Sequence, residues 1–565
     1  MIFILHIDIS IIILYNSNHI LIYNEDNMKI IGLNRIHNSA LTLLDDGEVV
    51  FSIENERLSN IKYDKVPYNV IQELPKYTNN VDCIGITGVQ SPKNPESFED
   101  RDPYSSAIIH LNRSFYEHEN TTYNLNNEHH KMHAAHGFYN SGFKNALCII
   151  RDGLGSDYPI KHHMFQEGTM GNERNASFIA SYPNNFKEID KEIMVGFECD
   201  VNIDSGRVTQ HFSEGLAFQK TCVAMGMGEM DAGKLMGMST YGKPNDYIPP
   251  MYIDDQLNSE LFKWRNNNLT EGYLDFEFTD FQSKADFAYA LQTATQNHVK
   301  KYIDKMIEQT GIKRVVLAGG YFLNCVANYE YLRDDVEFYI EPVSSDAGTS
   351  MGAAKYIHHT LTKDKTIRKQ NHIYLGLRHS YIPEGIGADY DDIAKLIEEG
   401  KSVAIFQGRS EAGPRALGNR SILFDPRRVD GKDYINKIKG REWYRPFAGT
   451  VLLEHVHDYF DMRGLKESPF MMYAVNVKSD DLPAITHIDK TCRIQTVTKQ
   501  QNLHYYNLID AFKKRTGCPI LFNTSFNLAG DCIVETYEDA VNAHKNSGID
   551  YLYFPDEIKC NFYSK

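Results

Sequence analysis

The chain has 565 residues, 42% hydrophobic and 24% charged, with a formal net charge of -16. Such a length exceeds one ordinary core and calls for two or more domains of a globular protein. The acidity argues against bulk attraction to nucleic acid, so any phosphate chemistry must rest on local cations.

In chain order, residues 1–27 are apolar and rich in isoleucine but lack a basic leading region and contain Asp8. They match neither a secretory signal nor a full membrane span. The natural start is expected at Met28, with 1–27 a non-native or disordered extension. From there KIIGLN, SALTLLDDG and EVVFSIENER read as strands, the last two joined in a hairpin around Asp-Asp-Gly.

The next unit, NNEHHKMHAAHGFY, places His129 and His133 four apart. On a helix they share one face, and both can reach a single cation; the alternative is a histidine-rich polar face. A buried strand follows in NALCIIRDGLGSD and ends at Asp152, Gly153 and Gly155. Another, RVVLAGGYFLNCVAN, runs straight into Gly319 and Gly320, after the helical stretch FAYALQTATQNHVKKYIDKMIEQTG. Strand ends carrying Gly and Asp, alternating with helices, predict a duplicated α/β fold with a nucleotide in its cleft. Asp346, in the small-residue loop PVSSDAGTSMGAA, is the best third ligand for the histidines. Two histidines and a carboxylate suit iron(II), zinc or manganese acting on an oxygen ligand.

The segment TLTKDKTIRKQNH is polar and basic and reads as a linker. Beyond it, GRSEAGPRALGNRSILFDPR sets four arginines among turn glycines and prolines. Planar guanidinium forks in a tight bend predict an oxyanion site; interleaved apolar residues predict that the arginines are held against a core. The nine cysteines form no CxxC pair and sit in apolar runs such as those of Cys83, Cys148 and Cys325, as expected of reduced, buried thiols in a cytoplasmic protein.

GLNRIHNSALTLLDDG, HHKMHAA, RDGLG, LMGMSTYGKP, LAGGYFLNCVAN and SSDAGTSMGAA occur in the order seen in O-carbamoyltransferases of the nodulation-protein, aminoglycoside and cephem type. GPRALGNRSILFDPR, KIKGREWYRPFAGTVL, THIDKTCRIQTV and PILFNTSFNLAGDCIV resemble that family's second domain. The resemblance runs from Met28 nearly to the end. It implies a duplicated actin/Hsp70-type, TsaD-like (Kae-type) α/β domain over about 28–362, a linker at 363–375, and an α+β YrdC-like domain over 376–565.

The family reaction uses ATP, with Mg²⁺, and carbamoyl phosphate to make carbamoyl-adenylate in the YrdC-like domain. By motif match, Arg415, Lys439 and Arg493 would act there, with Arg441, Asn523, Ser525 and Asn527 holding ATP. For Ser525 and Asn527 a turn or helix cap is the alternative. Carbamoyl transfer would follow in the TsaD-like domain, at a metal held by His129, His133, Asp152 and Asp346, with iron(II) favoured over manganese or zinc. Asp152, Gly153, Gly319, Gly320 and Asn324 would contact the nucleotide. Lys234 would touch a phosphate or make a surface ion pair. His37 would take the proton of the acceptor hydroxyl, as an imidazole neutral near pH 7 can.

HNSA in place of His-Asp-Ala-Ser, RDGLGSD without its usual Glu, and His136 in place of Ser depart from the family pattern; the first two point to an unusual acceptor. That acceptor is a small-molecule or sugar hydroxyl, or a hydroxymethylated pyrimidine, free or in DNA; abundant Ile, Asn, Lys and Tyr indicate a low-GC genome and keep the base in play. The alternatives are a carbamoyl or threonylcarbamoyl enzyme of tRNA modification or hydrogenase maturation, and a non-catalytic nucleotide-binding regulator. The domain order and the lack of CxxC zinc fingers weigh against hydrogenase maturation.

Overall fold

A computed structural model describes residues 12–16, 19–23, 28–78, 80–88, 121–204, 206–265, 269, 271–557 and 559–561. Ile12–Asn16 and His19–Tyr23 pair antiparallel with each other and, among the described residues, with no other strand. The rest of the expected 1–27 extension lies outside the described residues.

The first sheet contains β1 (Lys29–Asn34), β2 (Ala40–Asp45), β3 (Glu48–Glu54), β4 (Cys83–Thr87) and β5 (Thr121–Asn124), in the order β3-β2-β1-β4-β5. The hairpin expected around Asp-Asp-Gly is present: Asp45 pairs with Glu48, and Asp46 and Gly47 have φ of 48° and 80°. Two left-handed residues in a two-residue loop match the right-handed twist of the flanking strands. β2 and β3 run antiparallel to their neighbours, whereas β4 and β5 extend the sheet in parallel.

The second sheet repeats this arrangement. β6 (Asn145–Arg151), β7 (Met170–Ser181), β8 (Asn185–Met194), β9 (Arg314–Ala318) and β10 (Glu337–Ile340) follow the order β8-β7-β6-β9-β10, with further short strands at the β8 edge. The directions match as well: β7 and β8 are antiparallel, β9 and β10 parallel. Equal order and equal direction in two consecutive sheets make the first part of the chain a structural duplication.

Of the helices among these strands, three matter most for the site: α1 (His129–Ser141), α2 (Phe281–Thr310) and α3 (Ala347–Thr362). α2 begins with a capping box at Asp280 and ends at left-handed Gly311. α3 packs on the first sheet, and α1 packs on α3 and on the second sheet. The run of small residues in GTSMGAA is what lets them meet, since a Cβ on Gly352 would lie 2.1 Å from Met132 O and one on Gly32 1.7 Å from Ser350 O. No larger residue fits at either backbone approach.

Residues 363–375 form no helix or strand. They are nevertheless tied down: Arg368 pairs with Asp364 and Glu48, and Ile373 and Leu375 are buried. The final part is built on one nine-stranded mixed sheet. Its centre holds β11 (Val403–Phe406), β12 (Arg420–Phe424), β13 (Ala448–Leu452), β14 (Thr491–Val497), β15 (Ile520–Ser525) and β16 (Tyr551–Phe554), ordered β16-β11-β12-β15-β13-β14. Helix α4 (Gly431–Lys439) precedes β13. One apolar cluster runs from Phe322 and Met351 of the duplicated part to Phe447 and Phe522 of the final part, so the two parts share a continuous core.

Candidate functional site

The N-terminal end of α1 is held by Ser156, whose hydroxyl accepts the His129 N–H at 3.2 Å and donates to Asn126 O at 2.6 Å. This seats the first turn with both imidazoles turned inward. His129 Nε2 and His133 Nε2 lie 3.3 Å apart, a distance that points two ring nitrogens at one spot. Asp152 follows directly on β6, and its Oδ2 is 3.2 Å from His129 and 3.7 Å from His133. Asp346 occupies the N-cap position of α3 but caps no amide of its own helix. Its Oδ1 instead lies 3.6 Å from His129 and 3.5 Å from His133. The ligand atoms of all four residues fall within 4.8 Å of one another, and all four side chains are buried.

The donor set fits a divalent cation, with two imidazole nitrogens and two carboxylates from three separate elements. Within it the imidazoles and carboxylates face one another. Burial opposes the charged form of His129, yet Asp346 and Asp152 raise it to about 10. Burial opposes ionised Asp152 too, and His129 and His133 overcome this, holding it well below the carboxylate range. His37, partly exposed, places Nε2 3.1 Å from the second oxygen of Asp346, Oδ2. It lies in a tight segment where left-handed Asn38 (φ 58°) follows and Asn34 Nδ2 donates to Asn38 O at 3.0 Å.

The glycine loops lie beside this cluster. Gly319 has φ of 99°, and a Cβ there would sit 2.3 Å from Arg151 O, so glycine alone fits. The Gly320 amide donates to Asp152 Oδ1 at 3.0 Å, while Gly153 O accepts the Ser213 hydroxyl at 2.6 Å. Asn324 caps the following short helix through Ala327 N at 3.1 Å and pairs with Gln292 at 2.8 Å. Lys234 bridges Asp231 and Glu442, both at 2.9 Å, so it ties the duplicated part to the final one.

Arg415, Lys439, Arg441 and Arg493 come together in the final part, and among the described residues none of them pairs with a carboxylate. Lys439, buried at the end of α4, donates to Ser525 O at 2.5 Å and Asn527 Oδ1 at 2.9 Å. Burial, with Arg441, Arg445 and Lys62 adding to it, holds its ammonium well below the ordinary lysine value. Arg441 bonds Asn436 and Pro446 O and lies 3.9 Å over the Phe447 ring; burial and then Arg445 and Arg493 lower it in the same way. Arg415 is brought down to about 9 by burial and by Arg493. Arg415 Nε and Arg493 Nε are buried without a hydrogen-bond partner. Buried like charges with spare donors are poised for a polyanion. Arg445, which adds to the positive surroundings of Lys439 and Arg441, was missed although the EWYRP stretch carried its signal.

The other residues singled out in the sequence have other surroundings. Asn523 is fully buried and donates to Ala416 O, Thr450 and Gln495, so it braces the Arg415 loop. The four arginines of the 408–427 run do not act together. Arg409 donates to Gly376 O, Leu375 O and Val50 O; Arg420 donates to four backbone carbonyls; Arg427 is bidentate to Asp425. Only Arg415 joins the cation cluster, because the backbone takes up the forks of Arg409 and Arg420 and a neighbouring carboxylate takes up that of Arg427. Its Nη2 donates to Leu323 O at 3.2 Å, in the turn that begins at Gly320.

Eight described cysteines are free, seven of them buried. No helix among the described residues is long and apolar enough to cross a membrane.

Two family models match the chain, the carbamoyltransferase N-terminus over residues 104–355 and the carbamoyltransferase C-terminus over 394–559. These matches make the protein a transferase. The nodulation protein NolNO of Sinorhizobium fredii is 31% identical over 92% of this chain and 78% of its own length. The 3'-hydroxymethylcephem-O-carbamoyltransferase of Amycolatopsis lactamdurans is 24% identical over 94% of this chain and 98% of its own. The solved structure of T.kodakarensis HypF is similar at a TM-score of 0.37 and 13% identity, covering 61% of this chain and 49% of that one. The chain belongs to the carbamoyltransferase family.

Proposed function

We propose that the chain is an ATP-dependent O-carbamoyltransferase with two reaction sites. At the cation cluster, water cleaves carbamoyl phosphate to carbamate and phosphate; the carbamate oxygen then attacks the α-phosphorus of ATP, pyrophosphate leaves, and carbamoyl-adenylate forms. Arg415, Lys439, Arg441 and Arg493 clamp the phosphates and offset the charge that builds during that attack. The carbamoyl group is then transferred to an acceptor hydroxyl near His37, with AMP as the leaving group. His37 takes the hydroxyl proton, and the Asp346 carboxylate lies 3.1 Å from its Nε2. His129, His133, Asp152 and Asp346 would hold a divalent cation, iron(II) by preference, which when bound would supply Lewis-acid polarisation of the carbamoyl oxygen.

The observation that carries this reading is the turn Gly320–Leu323. Its first amide holds Asp152 of the metal cluster, and its last carbonyl holds Arg415 of the cation cluster. Two sites sharing one short turn suit two steps joined by an unstable intermediate. The names of the relatives support a hydroxyl acceptor, and a hydroxymethyl group on a small molecule is the first choice.

The test incubates the metal-loaded protein with ATP and carbamoyl phosphate and follows AMP and pyrophosphate. Release that requires carbamoyl phosphate is expected; release indifferent to it removes the reading. Mass spectrometry across sugars, hydroxymethyl compounds, nucleosides and hydroxymethylcytosine DNA then identifies the acceptor by gain of one carbamoyl group. Gain in DNA alone would replace the small-molecule assignment.

A further inference from the structure

The turn that carries Arg415 is gripped from the duplicated domain. Arg57, buried just after β3, extends across the seam and donates from Nη2 to Gly413 O at 2.7 Å and to Glu411 O at 3.4 Å. Glu54, the last residue of β3, faces the Gly413 amide from the same side and accepts from Asn38 Nδ2 at 3.5 Å. Gly413 has φ of 87°, so this is a tight left-handed bend whose direction sets where the chain goes next. Two residues on is Arg415. Within the final domain, Glu411 ties only the far side of the loop, accepting the amides of Leu417 and Asn419 at 2.7 and 2.8 Å.

We propose that Arg57 and Glu54 are positioning residues for the phosphate site in the other domain, fixing the Gly413 bend and through it the guanidinium of Arg415. The inference rests on the proposed adenylate-forming role of that site. Neither residue belongs to the cation cluster, and neither touches the four candidate metal ligands. A guanidinium spanning two carbonyls of one bend fixes its orientation as well as its place. Because Asn38 adjoins His37, Glu54 also gives the bend a second connection to the transfer site, opposite the one through Leu323. The final domain braces the loop after Arg415 through Asn523 and Glu411, while the domain that consumes the intermediate fixes the bend before it.

The experiment is a double-mutant cycle on carbamoyl-phosphate-dependent exchange of labelled pyrophosphate into ATP, using the full chain. Arg57→Ala should lower kcat/KM about tenfold or more, while iron content and melting temperature stay close to wild type. Arg415→Lys should also lower it. If Arg57 acts through Arg415, the double variant is little worse than Arg415→Lys alone, since coupled residues are not additive. Independent, multiplying losses would overturn the proposal, as would unchanged exchange in Arg57→Ala. Should Arg57→Ala fail to fold, Arg57→Lys serves, because it keeps the charge but not the two-carbonyl fork, and Glu54→Gln tests the other half of the grip. Absence of exchange in the wild type would instead overturn the adenylate-forming reading and this inference with it.

Discussion

His37 Nε2 lies 3.1 Å from Asp346 Oδ2, while Asp346 Oδ1 lies within 3.6 Å of both His129 and His133. One carboxylate thus serves the candidate base with one oxygen and the candidate metal with the other. Replacing His37 should separate these roles. His37→Ala is expected to lose carbamoyl transfer by roughly 100- to 10,000-fold, the usual range for a general base, while keeping its metal and pyrophosphate exchange. Metal analysis and the two half-reactions, measured side by side, decide it; loss of exchange would place His37 elsewhere in the chemistry.

Asp346→Ala should remove the metal and leave the fold intact. The side chain caps no amide, so its loss removes a ligand without opening the helix. Elemental analysis after desalting should give substoichiometric metal, and circular dichroism should be unchanged. Full metal content would show that three ligands suffice.

Gly352→Ala should damage the same site by packing alone. Its Cβ would press on Met132 O at 2.1 Å and force α1 away from α3. A cost of about 1–3 kcal/mol in unfolding free energy is expected, together with weakened metal binding, because His129 and His133 move with α1. Denaturant melts and metal titration of the same sample test both.

Lys439 makes a prediction about protons. Burial and neighbouring cations hold its ammonium well below the usual lysine value, so between that lowered value and the ordinary one near ~10.4 the free side chain is mainly neutral. ATP phosphates would favour its charged form. Binding in that window should therefore take up protons, and affinity should rise as pH falls through it. Calorimetry in two buffers of different ionisation enthalpy measures the uptake, and Lys439→Met should abolish it. Proton release would contradict the assignment.

Arg493→Ala should reduce pyrophosphate exchange by roughly 100-fold or more, as loss of one preorganised donor does, and leave metal binding untouched. Arg427→Ala, from the equally conspicuous 408–427 run, should leave exchange near wild type because that side chain is occupied by Asp425. Equal loss in both would mean that the run acts as one unit.

Much of the fold was legible because its signals are local. Period-two alternation and Asp-Asp-Gly specify the β2–β3 hairpin, and the 3.6-residue period puts His129 and His133 on one face of α1. Ordered motifs identified the family. The cation cluster was harder to read, since four arginines close in sequence look alike until each partner is known. Arg420 spends its fork on the carbonyls of Gln407, Gly408, Asn419 and Glu535, none of which a linear pattern links to it.

By itself the sequence determined which side chains were present with suitable chemistry: paired histidines on a helix, carboxylates at strand and helix ends, and cations among turns. Only the tertiary structure decided which of them meet. Asp152 joins the histidines because β6 ends where α1 begins its first turn, and Asp346 joins them because glycines let α3 press against α1. Arg415 alone of its run reaches the cation cluster; its guanidinium bonds Leu323 O, and Arg57 bonds Gly413 O two residues before it, both contacts coming from the first part of the chain. Backbone hydrogen bonds and close packing are long-range contacts, fixed only when separate segments share one core.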